Sequence, residues 1–594
     1  MTQLSVRAPR AEAVMLCLFK GDAETRVPMV RAGDAWIAEA PPPGTRYGLR
    51  AEGEWAPERG LWFDPAKLLV DPRAVELDRA FTYSPALSAY GVDTAGLVPR
   101  AVWPHALPEV TLQPPVFRRG GLIYEVNVRG FTMLHPDVPE AQRGTVAALA
   151  HPAVLAHLEK LHVSAVELMP ITAWIDERHL PPLGLRNAWG YNPVVPMALD
   201  PRLCPGGVAE LRETVAALHA RGIGVILDLV FNHTGESDVL GPVLSFRGLD
   251  DAAYAHNADG SLINDTGCGN TLDFANPAVR ALVIESLRHF VQHCGVDGFR
   301  FDLATVMARG PGFAADAPIF AEIAADPWLA DRVMIAEPWD IGPGGYQLGR
   351  FPPHWLEWND RYRDDVRRFW RGDAGVGLLA TRIAGSSDIF GPDCRAVNYL
   401  AAHDGFTLAD TLAYEERHNH ANGEDNRDGH GENFSWNNGV EGPSDDPAVR
   451  ARRAALARAM LGTLFVSTGT IMLTAGDEFG RSQQGNNNAY AQDNALTWID
   501  WAHRDRALED HVAALAAWRA GQDLAQFPEG GAWQALDGAP MDAARWEDPA
   551  TQGFSWRQQG ETARPTGLRI DRAAPHAGPG EGAEPGPCSG ALPE

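Results

Sequence analysis

Four short stretches of this 594-residue chain each place an ionisable side chain in or just after an apolar run. VILDLVFNH carries Asp228, Asn232 and His233, and GVDGFRFDLA carries Arg300 and Asp302. VMIAEPWD carries Glu337, and VNYLAAHDG carries His403 and Asp404. Any one of these alone reads as a helix cap or a strand-end salt bridge, but four together are hard to produce by capping. Carboxylates converging on one cleft point either to metal ligation or to glycosyl transfer. In the latter, one carboxylate attacks the anomeric carbon and another protonates the leaving oxygen. Arg300 lies two residues before Asp302, so on a strand both side chains leave the same face. A guanidinium there holds Asp302 ionised and aimed, as a nucleophile needs. Glu337 follows Ile335 and Ala336, an apolar setting that raises a carboxyl toward the range of a general acid. The metal reading is the weaker one, because no His-rich ligand set with first-row metal spacing accompanies these residues.

Such residues need a scaffold that gathers distant strand ends. From Gly121 onward, apolar strand-like runs alternate with helical stretches. Strands are expected at Leu122–Val128, Ala165–Met169, Val225–Val230, Gly298–Phe301, Val333–Ala336, near Trp358, at Ala396–Ala401 and at Ile471–Thr474. Eight strands, most followed by a helix-period segment, predict a (β/α)₈ barrel with its chemistry at the C-terminal strand ends. Asn276 before Pro277 marks a helix start. Residues 1–110 show short strands punctuated by Pro and Gly, which predicts an N-terminal β-sandwich. The barrel is expected over residues 111–515, with a polar insert at 415–446 too long for an ordinary connection. Residues 516–572 read as a short, truncated, irregular β region. Residues 573–594 hold five Gly and five Pro, a density that predicts a disordered tail.

The four blocks, in this order and spacing, resemble the signature regions of the α-amylase superfamily, glycoside hydrolase family 13. That resemblance implies Asp302 as nucleophile, Glu337 as acid/base and Asp404 as the carboxylate that distorts and stabilises the sugar. It also implies that Arg300, His233, His403 and Asp228 line the −1 sugar site. AWGYNP (188–193), GEDNRDG (423–429), ENFSWN (432–437) and AGDEFG (475–480) are further similar to bacterial glycogen debranching enzymes and isoamylases. RYGLR (46–50) and GLWFDPAKLLVDP (60–72) are similar to the carbohydrate-binding β-sandwich that precedes the barrel in that group. By this analogy Tyr191 stacks on the −1 sugar and the insert shapes the branch-accepting cleft. Phe434 and Trp436 are then expected to stack on sugars. The insert is also expected to be a surface loop whose excision leaves the barrel folded. The implied substrate is branched α-glucan (glycogen or limit dextrin), cleaved at α-1,6 linkages. A maltooligosyl-trehalose trehalohydrolase, an α-1,4 amylase and an inactive α-glucan-binding protein are the alternatives.

Composition narrows the partners. Lys+Arg is 51 against Asp+Glu 77, a net charge of −26, so nucleic acid and anionic membrane surfaces are poor partners. Six scattered cysteines without a C-x-x-C pair exclude a disulfide framework and fit a reducing, cytoplasmic compartment. No apolar run is long enough to span a bilayer. His418, His420, His430, Glu424 and Asp428 in the insert are of metal-binding type, and the resemblance admits calcium at Asn232. Dispersed acids beside His-x-His are nonetheless common in polar loops, so no metal and no cofactor are expected.

Overall fold

The computed structural model of the chain describes residues 3–558 and 567–580. At its centre eight parallel strands close into a barrel in chain order. They are β1 (Leu122–Val126), β2 (Ala165–Leu168), β3 (Gly224–Leu229), β4 (Gly298–Phe301), β5 (Val333–Ala336), β6 (Leu356–Asn359), β7 (Ala396–Asn398) and β8 (Thr470–Thr474). Each lies where an apolar run predicts a strand, with ends differing by up to three residues. Every residue of β3 and β4 is buried, as expected of parallel strands covered on both faces. Gly298 opens β4 because an added Cβ would lie 2.2 Å from the Val333 carbonyl on β5. The register then sets Asp228 of β3 directly opposite Arg300 of β4.

Helices α1 (Pro152–Lys160), α2 (Gly207–His219), α3 (Pro277–Cys294), α4 (Pro318–Ala325), α5 (Asp360–Arg371), α6 (Pro447–Val466) and α7 (Arg506–Ala520) connect and follow the strands. The Asn276 side chain accepts from the Ala278 amide at 2.9 Å, capping α3 with Pro277 at its first position. Between β5 and β6 no helix forms, and residues 337–355 run as turns and irregular chain back to the start of β6.

Ahead of the barrel, a three-stranded sheet (Gln3–Arg7, Ala35–Glu39, Val30–Ala32) faces a four-stranded one (Ala23–Pro28, Ala13–Lys20, Arg46–Glu52, Ala101–Val102). Their shared core (Leu4, Val6, Leu16, Trp36, Leu49) continues without a break into Val194, Val195, Val243, Leu244 and Leu249 of the barrel's own loops. The residues of the GLWFDPAKLLVDP stretch are largely structural. The fully buried Lys67 ammonium donates to the carbonyls of Ala86 (2.8 Å), Ala89 and Val92 (3.1 Å), holding a turn that has no strand to satisfy it.

After α7 the chain builds a four-stranded antiparallel sheet (Gly531–Ala535, Gly553–Gln558, Gly567–Asp571, His576–Pro579). Phe554, Trp556, Leu568, Ile570 and Ala577 join the main core. The last strand corrects the expectation of disorder from residue 573. His576–Pro579 pairs with Gly567–Asp571, and Ala577 lies so close to α6 that a Cβ on Gly462 would meet its carbonyl at 1.8 Å. Small residues on both sides permit that approach, so the composition that suggests disorder here serves packing instead. Residues 581–594 of the expected tail lie outside the described residues.

Candidate active site

Asp228 ends in the barrel mouth from β3, Asp302 follows the last residue of β4, and Glu337 follows β5. Arg300, fully buried on β4, holds all three. Its Nη1 donates to both oxygens of Asp228 at 2.9 Å and to Asp302 Oδ1 at 3.2 Å, while Nη2 lies 3.1 Å from Glu337 Oε2. One planar fork thus carries two candidate reacting carboxylates on neighbouring arms. Asn232 tightens the arrangement: its amide donates to Asp302 Oδ2 at 2.6 Å and to the Asp302 carbonyl at 2.9 Å. Leu303 adopts a left-handed backbone (φ +40°), which points its N–H at Glu337 Oε2, 2.6 Å away. That conformation costs a leucine roughly 1–2 kcal/mol, a strain of the kind stored at functional sites.

The remaining residues form a wall. Tyr191 donates its hydroxyl to Asp228 Oδ2 and stacks on His403, with ring centroids 4.7 Å apart. Trp189 meets His403 edge-on at 5.0 Å. His233 contacts the Tyr191 carbonyl at 3.0 Å and Asn232 Oδ1. Trp189 and Tyr191 also line an open cleft of about 790 Å³, with Tyr490, Glu424 and His179 further along it. Asp228, Arg300, Asp302, Glu337, Tyr191, His233 and His403 are thus brought together by direct contacts, and Asp404 follows His403 in the chain.

Ionisation differs from residue to residue. Burial pushes Glu337 up to about 8, against the pull of Arg300 and with Asp302 and Asp404 adding to the push. A carboxyl so placed keeps its proton at neutral pH, as a general acid must. Burial likewise raises Asp228 to about 6, against Arg300. Burial also opposes charge on Asp404, but His430, His403 and Arg363 outweigh it and hold the carboxylate well below its ordinary range. Burial disfavours the His403 cation too, yet Glu125, at 2.7 Å from Nδ1, lifts it to about 9. Buried His233 is lowered and neutral.

Glu125 on β1, whose other oxygen accepts from Thr474 at 2.7 Å, escaped the sequence reading. Its signal was the same one, a carboxylate interrupting the apolar run LIYEV. Trp189 and His430 were also missed as site residues. His430 arrives from the insert and lies 3.1 Å from Asp404 Oδ2. The other insert residues of metal-binding type disperse. His418 pairs with Glu441, Glu424 accepts from Tyr490, and Asp428 accepts from Asn422 and Asn488. Among the described residues, no three His, Cys, Asp or Glu side chains form a metal-holding group.

The insert itself corrects an expectation. Asn419, Asn422 and Asn433 are buried, and Trp436 packs against the main core instead of facing the cleft. Arg367 donates to the Asn433 carbonyl at 2.9 Å, and Phe434 lies under Arg368 and Arg371. A segment so interlocked is part of the fold, so excising 423–437 would leave buried amides unpaired.

No protein-family profile matches the chain. A glycogen debranching enzyme of Yersinia enterocolitica is 46% identical over 576 residues, spanning 92% of this chain and 86% of its own. One from Serratia proteamaculans is 46% identical over 583 residues, 93% and 86% of the two chains. Among solved structures, the catalytic module of the pneumococcal glycogen-degrading virulence factor SpuA superposes with a TM-score of 0.74 at 18% identity, covering 96% of this chain and 87% of that one. Type I pullulanase from Bacillus subtilis superposes with a TM-score of 0.71 at 19% identity, covering 96% and 77%. The structural likeness establishes the barrel architecture, and the sequence identity, held over nine-tenths of the chain, establishes kinship. This chain belongs to the bacterial glycogen debranching enzymes, glycoside hydrolases of the α-amylase superfamily.

Proposed function

We propose that the protein hydrolyses α-1,6 branch linkages of glycogen or limit dextrin with net retention. The observation that carries this reading is the Arg300 fork, which serves Asp302 and Glu337 while their surroundings leave Glu337 protonated at neutral pH. The Asp302 carboxylate attacks the anomeric carbon and forms a glycosyl ester. The C1–O bond to the leaving chain breaks, and its electron pair takes the Glu337 proton. Glu337, now a carboxylate, removes a proton from water as the water oxygen attacks C1, releasing Asp302 and restoring the acid. Asp404, fully ionised, faces the positive charge that develops on the ring. Linkage preference rests on the relatives' names and on the cleft beside Tyr191, which continues past Trp189 to Tyr490. A cytoplasmic setting belongs to the same proposal, supported by five described cysteines that are all unpaired. Among the described residues no helix is long and apolar enough to cross a membrane.

The test compares products from branched limit dextrin, pullulan and linear maltodextrin, with anomeric configuration followed by NMR. Linear chains released from limit dextrin as α-anomers support the reading. Cleavage confined to maltodextrin makes the protein an α-1,4 enzyme, and β-anomers overturn retention.

A further inference from the structure

The insert brings one side chain into direct contact with one candidate catalytic carboxylate, Asp404, and the backbone around that contact is fixed from both sides. His430 Nε2 lies 3.1 Å from Asp404 Oδ2. Buried Asn487 ties the two partners together. Its side-chain amide donates to the His430 carbonyl at 2.9 Å, and its own carbonyl accepts from the amide of Gly405, the residue after Asp404, at 2.9 Å. The Asn433 side chain accepts from Asn487 at 2.9 Å, and Asn419 and Asn487 bond each other through side chain and backbone. Gly429, left-handed at φ +76°, admits this lattice because a Cβ there would lie 2.3 Å from Asn487 Oδ1. The imidazole itself is about half exposed, so it is not held for packing. What is fixed is its backbone, and with it the direction from which a donor reaches Asp404.

We propose that His430 is the positioning residue for Asp404: the insert delivers an Nε2–H to Oδ2 and thereby sets the orientation of the carboxylate that faces the reacting sugar. This deepens the glycosidase reading and rests on it. Without the donor, Oδ2 loses its partner from the insert, and the side chain is free to rotate away from the ring. A misplacement of about 1 Å can cost on the order of 10²-fold in rate.

The test is steady-state kinetics on limit dextrin for His430→Ala, His430→Gln, Asn487→Ala and the double variant H430A/N487A. His430→Ala is expected to lower kcat roughly 10- to 100-fold and to leave KM nearly unchanged. His430→Gln, whose amide replaces the Nε2–H donor, restores most of the loss. Asn487→Ala costs little further when added to His430→Ala, because both changes break one linkage. Unchanged kcat in His430→Ala overturns the proposal. So does a rise in KM alone, which would make His430 a sugar contact, or failure of Gln to rescue. If the wild-type protein cleaves only maltodextrin, the branch-specificity reading fails and the same variants are scored on maltodextrin. If it cleaves no α-glucan, ¹⁵N NMR of the imidazoles decides separately. An Nε2–H signal assigned to His430 by the Gln variant and shifted by Asp404→Asn supports the contact, and no shift overturns it.

Discussion

Glu337 is pulled in opposite directions by its neighbours, and the balance sets two measurable properties. Burial and two nearby carboxylates keep it protonated to about 8, although Arg300 favours its charge. Since the acid must carry its proton, kcat/KM is expected to fall as pH rises through about 8, and Glu337→Gln removes that limb. The variant loses roughly 10²–10⁴ in rate and recovers part of it on substrates whose leaving group needs no proton. Asp302→Asn recovers nothing on the same substrates, because no nucleophile remains. Near-native turnover by both variants would make these structural carboxylates. The same proton affects stability. Between the ordinary value of Glu (4.5) and about 8 the folded chain holds a proton that the unfolded chain releases, so stability falls as pH rises through that window. Glu337→Gln should therefore raise the melting temperature at pH 8 more than at about pH 5, and an equal shift at both would contradict the assignment. These residues were legible because an ionisable side chain in an apolar run is conspicuous. His430 was not, because a histidine in a polar loop looks like its surroundings until the fold shows what it touches.

Elements follow the same division. The strands could be read because burial on both faces demands uninterrupted apolar runs, and Asn276-Pro277 fixed a helix start by local chemistry alone. The insert and the last strand could not. Both are held by long-range contacts between small or polar residues: Asn419 and Asn422 against the loop after β8, and Ala577 against Gly462 of α6. The second contact gives a direct prediction. Gly462→Ala places a methyl 1.8 Å from the Ala577 carbonyl and should destabilise the protein by about 1–3 kcal/mol, read as a lower melting temperature with kcat unchanged. A variant as stable as the wild type would show that the terminal strand does not dock there. Trp436 shows why aromatic residues mislead at this scale, since the type that stacks on sugars is also the type that fills cores.

In the whole molecule, the N-terminal sandwich and the barrel share one apolar core across Val194, Val243 and Leu249. Arg7–Asp250 (2.8 Å) and Arg73–Glu285 (2.7 Å) add ion pairs at the seam. Deleting residues 1–105 is thus expected to expose barrel side chains and to yield aggregates in size-exclusion chromatography, whereas a monodisperse, active barrel would show that the sandwich is an independent module. Arg300 has the widest consequence. Because one guanidinium is shared by Asp302 and Glu337, neither carboxylate has an environment of its own. Removing the Asp302 charge takes away a repulsion on Glu337, so the Glu337 carboxyl should titrate at lower pH in Asp302→Asn, measurable by NMR titration of Glu337 in that background. In evolutionary terms the two positions are epistatic. A substitution at the nucleophile alters the acid in the same step, so the effects of changes at the two positions are not expected to add.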